Sequence, residues 1–527
     1  MARTAAGQGG GWAALVLAGL VGVTVGIPGL AVVARVAWAV VSAPGEAGRA
    51  ARVDLGLLAR TLLVAAAIAA LATLLGWPGA WAARRLPSRF VALLALPLLL
   101  PSYLISSGWG LLRAPGAAIG DRLMSPGREW MVIPVGQGLA IAGLALWASP
   151  LASLLIASQL RRTDEDVYEA LRLLPASRGR RALAILGMAR PGVLMAFGAV
   201  LLLMLGSAVP LHVSQLDTYA ITLWRRLDES ARAAHWRVWV AAWPLLLAPA
   251  AAAWAVTARL RAESTEGARL GQAEDPRIRA SPVLAGAALV WSLAVLAPVA
   301  LFLLNLRGLS VLQVFWRTAW RSILASSVTS AATALVAAVI AGSMWAALAG
   351  GAPARRTARA CLGALLVAGL SPGILVGLAT AEAWRAWPAL APIADSPAVI
   401  VLAHTARFGF LAALAGWWLA RTEPRELRDL RRLEAGDSLR GWLRGALPPQ
   451  AGVLAGVAAA TGLLSFHEIE AAVMLQPPSS IGGGFAWLML QQLHFARTQE
   501  LAAGMVYVVG GGLVAGLLAV WLLGGRR

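Results

Sequence analysis

Asp164-Glu165-Asp166-Val167-Tyr168-Glu169-Ala170-Leu171-Arg172-Leu173-Leu174-Pro175-Ala176-Ser177 is a charged stretch set between two long apolar runs. Its acidic residues crowd the front, where a helix N-terminus offers unpaired N–H groups and the positive end of its dipole. Val167, Leu171 and Leu174 follow at i, i+4 and i+7, one apolar stripe on a short helix. Pro175 stops that helix, and Ser177 is placed to cap a second one running through Arg178, Arg180 and Arg181 toward Arg190-Pro191. A helix-break-helix this short cannot bury its stripe against itself. It needs a partner surface.

The same design recurs from Arg421 to Pro449. Thr422 is a candidate cap, Glu426 falls in the first turn, and Leu427, Leu430 and Leu433 make the stripe. Gly436-Asp437-Ser438 then reads as a stop followed by a new cap, and Leu447-Pro448-Pro449 leads into the next apolar run. One such segment would be an ordinary solvated loop. Two copies suggest a repeated device.

Around these segments the chain is apolar. Of 527 residues, 59% are hydrophobic and only 13% are charged, which is outside the range of soluble globular domains. Runs of about 20 apolar residues recur from end to end, each long enough to cross a bilayer. They are continuous rather than alternating with period two, so a barrel is excluded. The net charge of +20 does not point to nucleic acid, because the arginines sit at the ends of apolar runs as the positive-inside rule expects. No lysine is present, so no P-loop Gly-x-x-x-x-Gly-Lys-[Ser/Thr] can exist and the chain carries no ordinary ATPase site. Cys361 is the only cysteine, which excludes an intrachain disulfide and a cysteine metal site. The first apolar run, Trp12 to Val41, is too long for a signal peptide and reads as a retained span.

The expected architecture is therefore all-α and polytopic, with about 12 spans. These lie near 12–41, 55–82, 90–112, 131–159, 191–211, 236–258, 281–304, 319–349, 360–381, 397–420, 450–466 and 500–523. With both termini cytoplasmic, Arg84-Arg85, Arg161-Arg162, Arg259, Arg261, Arg355-Arg356 and Arg526-Arg527 share one side with both charged segments. A hydrophilic stretch at 263–280 reads as a linker between a first half, 1–262, and a second half, 281–527. The halves look alike. Arg84-Arg85, an apolar run, Pro101 and Gly108 parallel Arg355-Arg356, an apolar run, Pro372 and Gly377. Two six-helix halves with matching orientation form a parallel repeat, and a central path between them follows from that symmetry.

The two charged segments resemble the EAA loops of binding-protein-dependent ABC importer permeases. Glu169-Ala170-Leu171 and Ala176-Ser177 fit the first copy, with Pro175 where the family's glycine is usual. In the second, Leu447-Pro448 fits, Asp429 takes the acidic position and Ala435-Gly436 the small one. A fused two-half chain resembles the ferric-iron and thiamine branch. Gly206-Ser207-Ala208-Val209-Pro210 and Ser465-Phe466-His467-Glu468-Ile469-Glu470 are similar to its regions after the fifth span of each half. The resemblance implies a bacterial inner-membrane subunit that binds no cofactor itself and is driven by ATP on a dimer of separate ATPases. It also implies a periplasmic or lipid-anchored solute-binding protein as second partner. Glu169, Ala170, Leu171, Leu174 and Ala176, with Asp429, Leu430, Leu433, Ala435 and Gly436, would be the ATPase-coupling residues. Ferric iron would be the first expectation for cargo and thiamine the next.

Ionisable groups at or in a membrane are costly and point to function. His212 and Asp217 after the fifth span, and His467, Glu468 and Glu470 after the eleventh, are thus the candidate substrate-pathway residues at the outer face. No resident metal site is expected from them. No Gly-x-Ser-x-Gly or clustered histidine pair is present, so the chain is not expected to be an enzyme. The rival reading is a secondary transporter driven by an ion gradient, which would need carboxylates in mid-span. A membrane-embedded enzyme or lipid exporter would need a polar catalytic cluster or a large extra domain, and neither is read.

Overall fold

A computed structural model describes residues 10–524 apart from 87, 115–116, 124, 174, 176, 263–281, 425, 427, 430–437 and 476–483. The expected linker and the coupling positions Leu174, Ala176, Leu430, Leu433, Ala435 and Gly436 lie outside those residues. Among the described residues every element is helical and none is a strand.

Among the described residues nine helices are long and apolar enough to cross a membrane, and two bent pairs raise the number to eleven if each pair is one span. In chain order these are α1 (Gly11–Ser42), α2 (Leu55–Arg85), the pair α3 (Val91–Leu99) and α4 (Ser102–Arg113), and α5 (Glu129–Leu160). After the short helix α6 (Glu165–Leu173) come α7 (Arg178–Leu205), α8 (Val209–Val213), α9 (Tyr219–Asp228) and α10 (Trp243–Ala262). The chain continues with α11 (Pro282–Leu304), α12 (Ser310–Ala349) and the pair α13 (Ala352–Leu370) and α14 (Gly373–Arg385). It closes with α15 (Ala398–Thr422), α16 (Leu439–Phe466), α17 (Glu470–Leu475), α18 (Gly484–His494) and α19 (Thr498–Gly524). The chain is an all-α, multi-pass membrane protein.

Two of the expected continuous spans are interrupted. Runs 90–112 and 360–381 bend by 77° and 114° where Pro101 and Pro372 follow the first helix of each pair. Proline removes one helical N–H and disfavours helical backbone in the residue before it, so each run divides there. Elsewhere prolines were accommodated. Pro191, expected to open a span, lies inside α7, which starts thirteen residues earlier at Arg178 under a Ser177 cap. A π turn at Trp442–Ala446 precedes Pro448, and another at Gly22–Gly26 precedes Pro28. Each widens the helix so that the chain continues through its proline.

The helices pack through small residues, as helices in lipid do when backbone approach rather than water exclusion drives association. Gly76 and Gly79 of α2 face Ser149, Ala152 and Ser153 of α5, and Gly416 of α15 faces the Ala341 carbonyl of α12. A second buried cluster joins α1 to α12, α13 and α15 around Leu17, Ile340, Trp345 and Leu365.

Candidate functional site

Three of the five expected pathway residues belong to one buried node. Arg407 stands nine residues into α15, roughly 13 Å from its start at 1.5 Å per residue, and thus within a span. Its guanidinium donates to the carbonyls of Gly369 and Ser371, the C-terminal end of α13. It also faces Glu468 Oε1 at 4.0 Å and Glu470 Oε2 at 3.9 Å. Glu470 in turn accepts from the N–H groups of Ala208 (2.6 Å) and Val209 (3.3 Å) at the start of α8, and from Gly373 N–H (3.3 Å) at the start of α14. A cation on a helix C-terminus and an anion on two N-termini satisfy the groups that an interrupted helix leaves unpaired and complement its dipole. Away from water no other partner would be at hand.

His467 completes the node by contacting the Leu99 carbonyl through Nε2 at 3.0 Å, at the break between α3 and α4. Four interruptions therefore meet there: 99–101, 206–208, 371–372 and 467–469. Glycine is required at this crossing. A Cβ on Gly373 would lie 2.7 Å from Glu470 Cβ, and one on Gly377 would lie 2.6 Å from the Ala471 carbonyl. His467 and Glu470 are 8% and 7% exposed, so both are buried within the bundle.

Above the node a cavity of about 1320 Å³ opens. Val209, Val213, Leu378 and Val473 line it from elements that adjoin the node, and Val209 N–H is one of the donors to Glu470. Its upper walls are ionic and aromatic, with Arg35, Arg225, Arg232, Arg385, Asp228 and Glu382 beside Trp224, Trp387, Trp487 and Phe495. His212 lines it too. Burial, then the charge of Arg225, pushes the His212 imidazole below its ordinary value, and the smaller opposing pull of Asp217 does not reverse this. Asp217 does not line the cavity and instead pairs with Arg225 at 2.8 Å. Glu382 receives Arg35 at 3.0 Å, His235 Nδ1 at 2.9 Å and Trp239 Nε1 at 3.2 Å. Among the described residues no group of three or more His, Cys, Asp or Glu could hold a metal ion.

The charged helix α6 lies at the other end of the bundle, because the 28-residue α7 runs about 42 Å from beside it to the cavity. Tyr168 is its anchor: its hydroxyl donates to the Leu160 carbonyl at 3.2 Å, Arg84 stacks on its ring at 3.7 Å, and Trp81 meets it edge-on. Leu171 is half-buried, whereas Val167, Glu169, Ala170 and Leu173 face outward. In the second segment Asp429 is exposed, and Arg428 folds back on Glu423 and the Ala420 carbonyl. The stretch that Thr422 was expected to cap lies partly outside the described residues. Thr422 itself ends α15, with its hydroxyl donating to the Trp418 carbonyl. Ser438 does cap, accepting from Gly441 N–H.

Sequence reasoning passed over Arg407, Glu382 and Arg35. A lone arginine or glutamate inside an apolar run was the available signal. No protein-family model, curated protein or solved structure matches this chain.

Proposed function

We propose that the chain is the transmembrane permease subunit of an ABC importer, with about 12 spans in two halves joined by the 263–280 segment. It would form the path for a small solute across a bacterial inner membrane, with both termini cytoplasmic. A dimer of separate ATPases would drive it and a solute-binding protein would supply it, as the resemblance of the 164–191 and 421–449 segments implies. Ferric iron and thiamine are the cargoes that resemblance puts first.

The observation that carries this reading is the cavity ending on four interrupted helices. Such a crossing can open without unfolding any long helix, because its polar groups are already outside regular backbone pairing. At the far end, α6 presents Val167, Ala170 and Leu173 beside Glu169 and Asp166, an outward face suited to a groove on a soluble partner. The test is co-purification from native membranes. The unaltered chain should bring down an ATP-hydrolysing subunit, and Glu169→Ala with Asp429→Ala should lose most of it while still inserting. Equal ATPase recovery from the double variant would sink the coupling role.

A second reading has its own support. Glu470 is buried, and Glu468 and Arg407 beside it expose only 14% and 11% of their side chains, so the bundle holds the ionisable groups that an ion-gradient-driven secondary transporter would need. Dependence of uptake on nucleotide or on a proton gradient separates the two.

A further inference from the structure

The cavity's wall charges bear on cargo class, and the inference here depends on the transport reading. Four arginines line the space against two carboxylates. Glu382 is already engaged by Arg35, His235 and Trp239. Arg225 is held by Asp217. Arg385 spends one N–H on the Leu475 carbonyl at 3.2 Å, and among the described residues neither it nor Arg232 has a carboxylate partner. Asp228 is the remaining acid. Burial, then the charge of Glu229, pushes its carboxyl above the ordinary range.

We propose that this cavity admits small organic anions, carboxylates or phosphates on an apolar body, and disfavours bare cations. Arg232 and Arg385 supply donors that match carboxylate and phosphate oxygens. Trp224, Trp387, Trp487 and Phe495 supply flat apolar wall for the body of the solute. A concave space with an excess of one sign of charge concentrates counter-ions. On this basis ferric ion or thiamine would meet an unfavourable field in the vestibule, and cargo of those kinds would enter only as part of an anion.

The test uses the full-length chain in lipid nanodiscs, without nucleotide or partner. Ala386→Cys and Gln491→Cys place a thiol on the exposed cavity wall, and the native chain with its buried Cys361 gives the background. Each is labelled with an anionic sulfonatoethyl and a cationic trimethylammonioethyl methanethiosulfonate, small organic ions of similar size and opposite charge. After correction for reactivity with a free thiol, the anionic reagent should react faster by roughly tenfold, the lower end of electrostatic focusing in charged clefts. Adding Arg232→Gln or Arg385→Gln should cut that preference several-fold. Equal rates, a cationic preference, or a preference that survives both substitutions would overturn the proposal. None of these readouts involves the ATPase, so failure here leaves the importer reading standing, and failure of ATPase recovery leaves this one standing.

Discussion

Arg407 is the residue on which the interior depends. It sits in α15 with 11% of its side chain exposed, and it meets two carboxylates and two backbone carbonyls. Removing one partner of a buried charge network leaves the others uncompensated, which typically costs about 3–5 kcal/mol. Arg407→Met keeps the side chain's bulk and should therefore lower the Tm of the purified chain markedly, whereas Arg356→Met, at an exposed position of α13, should change it little. Equal effects at the two positions would show that the node is not a structural centre. The sequence made part of this node legible. His467, Glu468 and Glu470 stood out as ionisable groups beside apolar runs. Their burial did not, because the partners of Glu470 at 208 and 373 and of His467 at 99 are about 100 to 370 residues away in the chain. Only tertiary contact identifies such partners.

Among the elements, α6 poses the question of how a nine-residue amphipathic helix stays put at the end of the bundle. Helices this short are marginal in water, so tertiary contacts must hold it. Tyr168 provides them through one hydrogen bond, net about 1 kcal/mol, and the Arg84 contact over its ring, about 0.5–2 kcal/mol. Tyr168→Phe should keep the ring contacts and lose little, while Tyr168→Ala should free α6. Limited trypsin digestion of membranes opened on that side would then cut between Arg161 and Arg181 much faster in the alanine variant alone. Indifference to either change would mean that another contact anchors the helix. Sequence periodicity located this element and the Ser177 and Ser438 caps, since caps and stripes are local features. It treated α3–α4 and α13–α14 as single straight spans because hydropathy carries no direction. Pro101 and Pro372 marked both breaks, yet Pro191 in α7 looks the same in sequence and did not break its helix. The difference lies in what surrounds each proline. Glu470 and Arg407 satisfy the ends of α14 and α13 at the second break.

For the whole molecule, the cavity and α6 lie at opposite ends of α7, with the four-break node between them. If an ATPase at the α6 end drives the cycle, nucleotide must change the cavity some 40 Å away, given the length of a 28-residue helix. The change would be carried by a switch between two arrangements of the node, in which the hydrogen bonds from Ala208, Val209 and Gly373 to Glu470 form or break together. An ion-gradient mechanism would act at the same place, but through protonation of Glu468 or Glu470. The two causes separate in one measurement. With Ala386→Cys in sealed vesicles containing the co-purified complex, labelling of the cavity thiol should change several-fold between nucleotide-free and vanadate-trapped states. It should not respond to a protonophore when nucleotide is absent. Glu470→Gln should shift the nucleotide-free labelling rate toward the trapped value, because the amide keeps the size of the carboxylate and loses its charge-assisted bonds to the helix N-termini. If labelling follows the proton gradient and ignores nucleotide, the charged segments at the far end are not handles for a motor, and the ion-coupled reading takes over.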